Sequence, residues 1–98
     1  MTAKIVPLRR PAAERVAEVP DTALLDACAV GDGSALGALF DRHHVAVERF
    51  VGRLSYCDAD ELADLVQNTF IEVGRSARSF KGKSSVKTWI FSIAATLA

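Results

Sequence analysis

The sequence has no long hydrophobic run. Half of its 98 residues are apolar, but no stretch approaches the roughly 20 consecutive apolar residues of a membrane-spanning helix. The N-terminus also lacks the continuous apolar block of a secretion signal. We therefore expect a cytoplasmic chain with no membrane insertion. Its length is enough for one compact domain and too short for two.

Cysteine is scarce as well. Cys28 and Cys57 stand apart and form no CxxC or Cys/His spacing, so neither a disulfide framework nor a zinc site is indicated. We expect two free thiols, with Cys28 as a small apolar filler and Cys57 as an inert loop thiol. His43 and His44 are neighbours that point in different directions on a helix, which argues against a shared metal site.

Clusters of titratable groups are also missing. The Asp, Glu and His residues are spread over several helix faces, whereas an enzyme needs convergent acids, bases or nucleophiles. We therefore expect no catalytic residues, no metal and no cofactor, and the chain is not predicted to be an enzyme.

Proline is confined to the start of the chain. All three prolines lie within residues 1–20, together with scattered charges and no sustained period, which is typical of a flexible extension. Residues 21–98 are predicted to form one helical domain. No segment there alternates with period two over a convincing length, so no sheet is expected.

Four helices are predicted from apolar spacing and from capping signals. Asp21 is expected to cap the first helix, which Gly31 can end. The second helix is predicted from Ser34, and the third starts at a capping-box-like pair, Asp58 and Glu61. The second helix has an apolar stripe at Leu36, Leu39, Phe40, Val47, Phe50, Val51 and Leu54; the third has one at Leu62, Leu65, Val66, Phe70, Val73, Ala77 and Phe80.

The fourth helix follows a polar break, Lys81-Gly82-Lys83-Ser84-Ser85, whose serines can cap it. Its stripe consists of Val86, Trp89, Ile90, Ile93, Ala94 and Leu97. Helices with one apolar stripe each bury one another in a bundle. The predicted fold is therefore all-α, a small bundle of about four helices.

Charge is unevenly distributed although acidic and basic residues are equal in number, 12 of each. Residues 21–79 carry ten acidic against five basic side chains, whereas residues 80–98 carry three lysines and no acid. An acidic body with a basic C-terminal end could serve two partners of opposite charge.

Two stretches of the sequence are characteristic, DTALLDACAVGDGSALGALFDRHH and DADELADLVQNTFIEVGRSARSFKGKSSVKTWIFSIAATLA. They resemble region two of the extracytoplasmic-function (ECF) sigma factors of bacterial RNA polymerase, and the likeness covers residues 21–98. Its most specific parts are Asp64-Leu65-Val66-Gln67 with Thr69-Phe70 on the third helix, and Trp89-Ile90-Phe91 with Ile93-Ala94 on the fourth.

The resemblance implies that the third helix docks on the clamp coiled coil of the largest subunit of RNA polymerase. The residues expected to make this contact are Asp64, Gln67, Asn68 and Glu72. Taken without the resemblance, the same polar residues suit an ordinary solvated helix face. An anti-sigma factor is a further possible partner.

The resemblance also implies that the polar loop captures a base of the melted non-template strand of promoter DNA. Cations along the phosphates and a pocket for an unstacked base would serve that purpose. The expected DNA-binding residues are Lys81, Gly82, Lys83, Ser84, Ser85, Lys87 and Thr88. Phe80 and Trp89 are expected to support the loop. A solubilising loop remains the alternative for the lysines, and core packing outweighs base stacking for Trp89.

The sequence departs from the family pattern near its end. Ala95 and Thr96 occupy positions where the family usually has an arginine and an asparagine, so two expected DNA contacts are missing. The chain stops at Ala98 within the predicted fourth helix, and the second, upstream-element-reading domain is absent, which suggests a fragment of a longer protein. The alternative function is a protein-interaction module that binds polymerase or an anti-sigma protein without effective DNA binding.

Overall fold

The computed structural model describes residues 19–98, and these contain four α-helices and no strand. The predicted all-α bundle is therefore confirmed. All of the predicted N-terminal extension except Val19 and Pro20 lies outside the described residues. The helices are α1 (Asp21–Ala29), α2 (Gly33–Leu54), α3 (Ala59–Ser76) and α4 (Val86–Leu97), with a 3₁₀ turn over Ala77–Ser79 between α3 and α4.

The start of α1 differs from the prediction. Pro20 occupies the N-cap position without a side-chain cap, and Asp21 is already the first helical residue. The carboxylate of Asp21 instead reaches α2, where it accepts a hydrogen bond from Arg42 at 2.8 Å and lies 2.8 Å from Nε2 of His43. The predicted cap was wrong because a tertiary partner engages this side chain.

The turn between α1 and α2 depends on Gly31. This residue has a φ of +94°, a conformation that costs glycine little. The N–H groups of Gly31 and Asp32 donate to the carbonyls of Cys28 and Ala27, which is the Schellman arrangement at a helix end. Asp32 then caps α2 by accepting from the N–H groups of Ser34 and Ala35. The helix consequently begins at Gly33, one residue before the predicted start.

The predicted capping box of α3 is confirmed. Asp58 accepts from the N–H of Glu61 at 2.8 Å, and the Glu61 carboxylate accepts from the N–H of Asp58 at 2.9 Å. The predicted extent to Phe80 was too long, because the α-helix ends at Ser76. The backbone tightens into the 3₁₀ turn there, and the hydroxyl of Ser79 donates to the carbonyl of Ser76.

The helices enclose one apolar core. α2 packs against α1, α3 and α4, and α3 also packs against α4. Leu39, Val47, Val51, Val73 and Ile90 are fully buried, each worth about 1.5 to 3 kcal/mol of burial. All five lie on predicted stripes, so the position of the core is as the sequence indicates.

The edges of the core differ from the predicted stripes in two ways. Leu54 and Leu97 are 52% and 42% exposed, since each lies at the last turn of its helix. Ala35, Ala38 and Thr69 are buried although no stripe included them. The Thr69 hydroxyl is satisfied inside the core because it donates to the carbonyl of Leu65 at 2.8 Å.

Candidate nucleic-acid and protein interfaces

Two aromatic rings hold the ends of the loop between the 3₁₀ turn and α4. Phe80 ends the turn with extended backbone angles, and its half-buried ring meets that of Trp89 edge to face, with 5.4 Å between centroids. Residues 81–85 project between these two anchors and are all exposed. Gly82 within them has a φ of +74°, which an L side chain rarely adopts. The loop thus has a defined base and an open tip.

The loop and α4 carry three lysines and no acidic residue. Lys81, Lys83 and Lys87 are exposed, and within the described part of the chain none of them forms an ion pair. The Lys87 ammonium lies over the ring of Phe91, 5.7 Å from its centroid, and Phe91 stacks on Phe50 of α2 at 4.6 Å. These cations are available to an anionic partner.

The hydroxyl groups of the loop are partly engaged. Ser85 is the N-cap of α4, where its Oγ accepts from the N–H of Thr88 at 3.1 Å and donates to Oγ1 of Thr88 at 3.0 Å. Ser84 Oγ donates to the carbonyl of Ser85. Of the two serines predicted to cap α4, only Ser85 does so. The predicted DNA contacts of Ser84, Ser85 and Thr88 therefore compete with local hydrogen bonds.

The predicted polymerase-binding residues on α3 do not all share one surface. Asp64, Gln67 and Asn68 are exposed on the outer side of the helix, opposite buried Val66. Glu72 is half-buried, accepts a hydrogen bond from the hydroxyl of Ser76, and lines a small cavity with Ser92, Ile93, Thr96 and Leu97 of α4. The structure brings Asp64 and Gln67 together, one turn apart, and turns Glu72 towards α4.

An apolar groove beside Gln67 was not predicted from the sequence. It lies between α2 and α3 and has a volume of about 550 Å³. Ile71, which is 49% exposed, lies at its mouth, and His44 stacks on Phe40 at 4.6 Å along its wall. The signal that could have revealed it is Ile71 itself, an apolar residue off the α3 stripe. The other lining residues are Gly33, Leu36, Gly37, Glu48, Ala63, Val66, Gln67 and Phe70.

The His, Cys, Asp and Glu side chains of residues 19–98 show no metal-binding arrangement. No group of three or more His, Cys, Asp or Glu side chains could hold a metal ion there. Both thiols are free, and Cys28 is buried as predicted while Cys57 is partly exposed. Burial raises the pKa of the Cys28 thiol above its usual value, and the nearby charge of Asp32 adds to that effect. No described helix is long and apolar enough to cross a membrane.

The two positions that depart from the family pattern are exposed on α4. Ala95 offers no polar group, and the Thr96 hydroxyl donates to the carbonyl of Ser92 at 3.0 Å. Neither side chain adds a positive charge to the last turn of α4.

Comparison with known proteins decides the family. The model of the sigma-70 region 2 family matches residues 39–98, which is more than half of the chain. The chain belongs to the sigma-70 region 2 family. This region 2 domain includes α3, the loop, α4 and most of α2 within the matched residues. The resemblance to region two of ECF sigma factors is thereby confirmed.

The similar curated proteins are ECF RNA polymerase sigma-E factors. The chain is 33% identical over 81 residues to the one from Haemophilus influenzae, and the match covers 83% of this chain and 42% of that relative. The chain is 32% identical to those from Escherichia coli K12 and Salmonella typhimurium LT2. Each of these matches covers 83% of this chain and 41% of the relative. The chain thus spans about two fifths of the length of these relatives. No solved structure matches it.

Proposed function

We propose that this chain is a promoter-melting domain in transcription initiation. In this proposal α3 docks on the clamp coiled coil of the largest subunit of RNA polymerase, and the loop before α4 captures the melted non-template strand. In this proposal the domain acts by binding, and none of its residues is catalytic. Because RNA polymerase acts in the bacterial cytoplasm, the proposal includes a cytoplasmic site of action.

One observation carries this proposal: the two surfaces are separate and differ in charge. Asp64 and Gln67 lie on the outer side of α3 with Asp60 and Glu61 in the first turn of the same helix. Residues 80–98 hold three lysines and no acid. An acidic helix suits a partner helix that carries arginines, and an acid-free cationic loop suits phosphates. The two surfaces therefore suit partners of opposite charge.

The proposed docking surface is tested by charge reversal. Replacing Asp64 with Arg should abolish association with a purified clamp coiled-coil fragment, because a favourable charge contact becomes a repulsive one. Association is measured by titration calorimetry, and helical content by circular dichroism. Asp26→Arg, a reversal at an exposed position on α1, is the matched control. Unchanged association of the Asp64 variant would remove this face of α3 from the docking surface.

The proposed strand contact is tested by removing the loop cations. Changing Lys81, Lys83 and Lys87 together to Ala should weaken binding of a fluorescent single strand that carries a promoter-proximal element. The slope of log K against log salt should fall by about 0.7 for each phosphate that is no longer neutralised. Arg75→Ala, which removes an exposed cation from α3, should leave the slope as it is. A triple variant with the original slope would mean that the strand lies elsewhere.

A second candidate function is a protein-interaction module that binds polymerase or an anti-sigma protein without effective DNA binding. Ala95 and Thr96 favour it, because they supply no cation in the last turn of α4. The same strand titration with and without the clamp fragment separates the two candidates. Strand binding that strengthens with the clamp supports the promoter-melting domain, whereas clamp binding without strand binding supports the interaction module.

A further inference from the structure

The C-terminal part of α2 joins the cationic end of the molecule through stacked aromatic rings. Phe50 of α2 stacks on Phe91 of α4 with 4.6 Å between centroids, and Lys87 lies over the same Phe91 ring at 5.7 Å. Residues 49–57 contain no Asp or Glu, and neither do residues 73–98. Two segments free of acidic side chains therefore meet at the junction of α2 and α4.

Two arginines extend the positive charge along α2 at this junction. Arg49 and Arg53 are exposed and lie one turn apart on the same flank of the helix. Within the described residues, neither forms a hydrogen bond, an ion pair or a ring contact. Arg53 lies about 4.5 Å along the helix axis beyond Phe50. Like charges at this spacing repel each other. A bound anionic partner would therefore reduce the repulsion between Arg49 and Arg53 that is present in the free domain.

A fully exposed aromatic side chain lies next to Arg53. Tyr56, in the loop after α2, has a relative exposure of 107%. It lines a shallow depression of about 270 Å³ together with Arg53, Gly52, Leu54 and Ser55. A fully exposed tyrosine ring contributes nothing to the core, yet it offers a face on which a nucleotide base can stack.

We propose that Arg49, Arg53 and Tyr56 form a second single-stranded DNA contact that continues from the loop across the Lys87, Phe91 and Phe50 stack. The arginines bind phosphates and the Tyr56 ring stacks on an unpaired base. Cations that follow a backbone, combined with aromatic rings for bases, are the usual composition of single-strand binding surfaces. This inference rests on the proposed function, since it extends the strand from the loop before α4.

The test uses the full chain and a fluorescein-labelled oligothymidylate of about 20 nucleotides, titrated at several salt concentrations. The Arg49→Ala, Arg53→Ala double variant should reduce the salt slope by about 1.4, which corresponds to two phosphate contacts. Tyr56→Ala should weaken binding about tenfold with little change in slope, because stacking releases no counterions. Tyr56→Phe should retain the affinity. Arg75→Ala serves as the charge-matched control.

A duplex of the same length tests whether unpaired bases are needed. Bases within a duplex are not available for stacking on a side chain, so Tyr56→Ala should leave duplex binding unaltered. Equal losses on single strand and duplex would overturn the single-strand contact. An arginine double variant that binds with the affinity and slope of the parent chain would overturn the phosphate contacts.

The Lys81, Lys83, Lys87 triple variant separates this inference from the proposed function. If the triple variant loses binding and the arginine variant does not, the loop contact stands and the second contact is overturned. If the arginine variant loses binding and the triple variant does not, the second contact stands and the loop contact fails. If the parent chain binds no strand at all, both are overturned.

Discussion

Asp21 links the first two helices through both oxygens of its carboxylate. One oxygen accepts from Arg42 and the other lies 2.8 Å from His43. Partial burial raises the pKa of this carboxyl, but the hydrogen bonds and charges of Arg42 and His43 lower it by more, so the pKa lies below its usual value. A carboxyl of this kind stabilises the fold above its unfolded pKa and ceases to do so as the pH falls through its folded pKa.

Asp21→Asn should therefore lower the free energy of unfolding at pH 7 by about 1 to 2 kcal/mol, since two charge-assisted contacts lose their anion at a site that is only partly exposed. The difference from the parent chain should shrink as the pH falls below about 4, where the parent carboxyl itself becomes protonated. Urea unfolding at a series of pH values measures both effects.

Asp26→Asn on the same helix is the control for the Asp21 experiment. Asp26 is exposed, so its replacement should have little effect on the free energy of unfolding at pH 7 or at pH 3. A constant difference between the Asp21 variant and its parent from pH 7 to pH 3 would show that the helix contact does not depend on the negative charge.

The start of α4 is determined by a single hydroxyl. Ser85→Ala should lower the free energy of unfolding by about 1 kcal/mol, because the N–H of Thr88 loses its side-chain acceptor. Ser84→Ala should leave stability nearly unchanged, since Ser84 is exposed and donates only to the neighbouring carbonyl. Urea unfolding distinguishes the two variants.

The same two variants also distinguish a structural role of Ser85 from a DNA-binding role of Ser84. If Ser84 contacts the captured strand, Ser84→Ala should weaken strand binding without loss of stability. Equal destabilisation by both substitutions would mean that Ser85 is not the cap of α4 in solution.

Local signals in the sequence predicted the elements well and their ends less well. Asp58 with Glu61 and the serine before α4 act within one turn, so they can be recognised without tertiary structure. Asp21 could not be assigned in this way because its partners lie 21 and 22 residues further along the chain. The end of α3 was missed because Phe80 keeps the helical period but turns towards Trp89 instead.

The candidate surfaces were only partly predictable. Family motifs identified the loop and α3, and the structure keeps Asp64 and Gln67 exposed on one face. The turn of Glu72 towards α4 and the groove beside Gln67 depend on how neighbouring helices pack, which periodicity in one helix cannot indicate. The junction between the C-terminal part of α2 and the cationic end depends on the contact of Phe50 with Phe91, which are 41 residues apart in the sequence.

For the whole molecule, a net charge of zero conceals an acidic body and a cationic end. The long-range attraction of a polyanion depends on the distribution of charge rather than on its sum. The cationic end is nevertheless weakened on α4, where Ala95 and Thr96 are exposed and uncharged.

Adding the family's usual residues should strengthen this end. Ala95→Arg with Thr96→Asn is expected to increase single-strand affinity roughly threefold to tenfold at low salt, and to increase the salt slope by about 0.7 for one additional neutralised phosphate. Fluorescence anisotropy at several salt concentrations measures both quantities.

Ala95→Gln with Thr96→Asn is the uncharged control for that variant, and it should leave the slope unchanged. If the arginine variant increases neither affinity nor slope, this face of α4 does not approach the phosphates. The interaction-module alternative would then be favoured.

The contact between Phe80 and Trp89 has an optical consequence. Trp89 is the sole tryptophan of the chain, it is half-buried, and it lies directly beneath the loop proposed to receive DNA. Indole emission responds to the polarity and motion of its surroundings, so the domain carries its own fluorophore at the base of that loop. Occupation of the loop can be followed in unlabelled protein, at native charge and in real time.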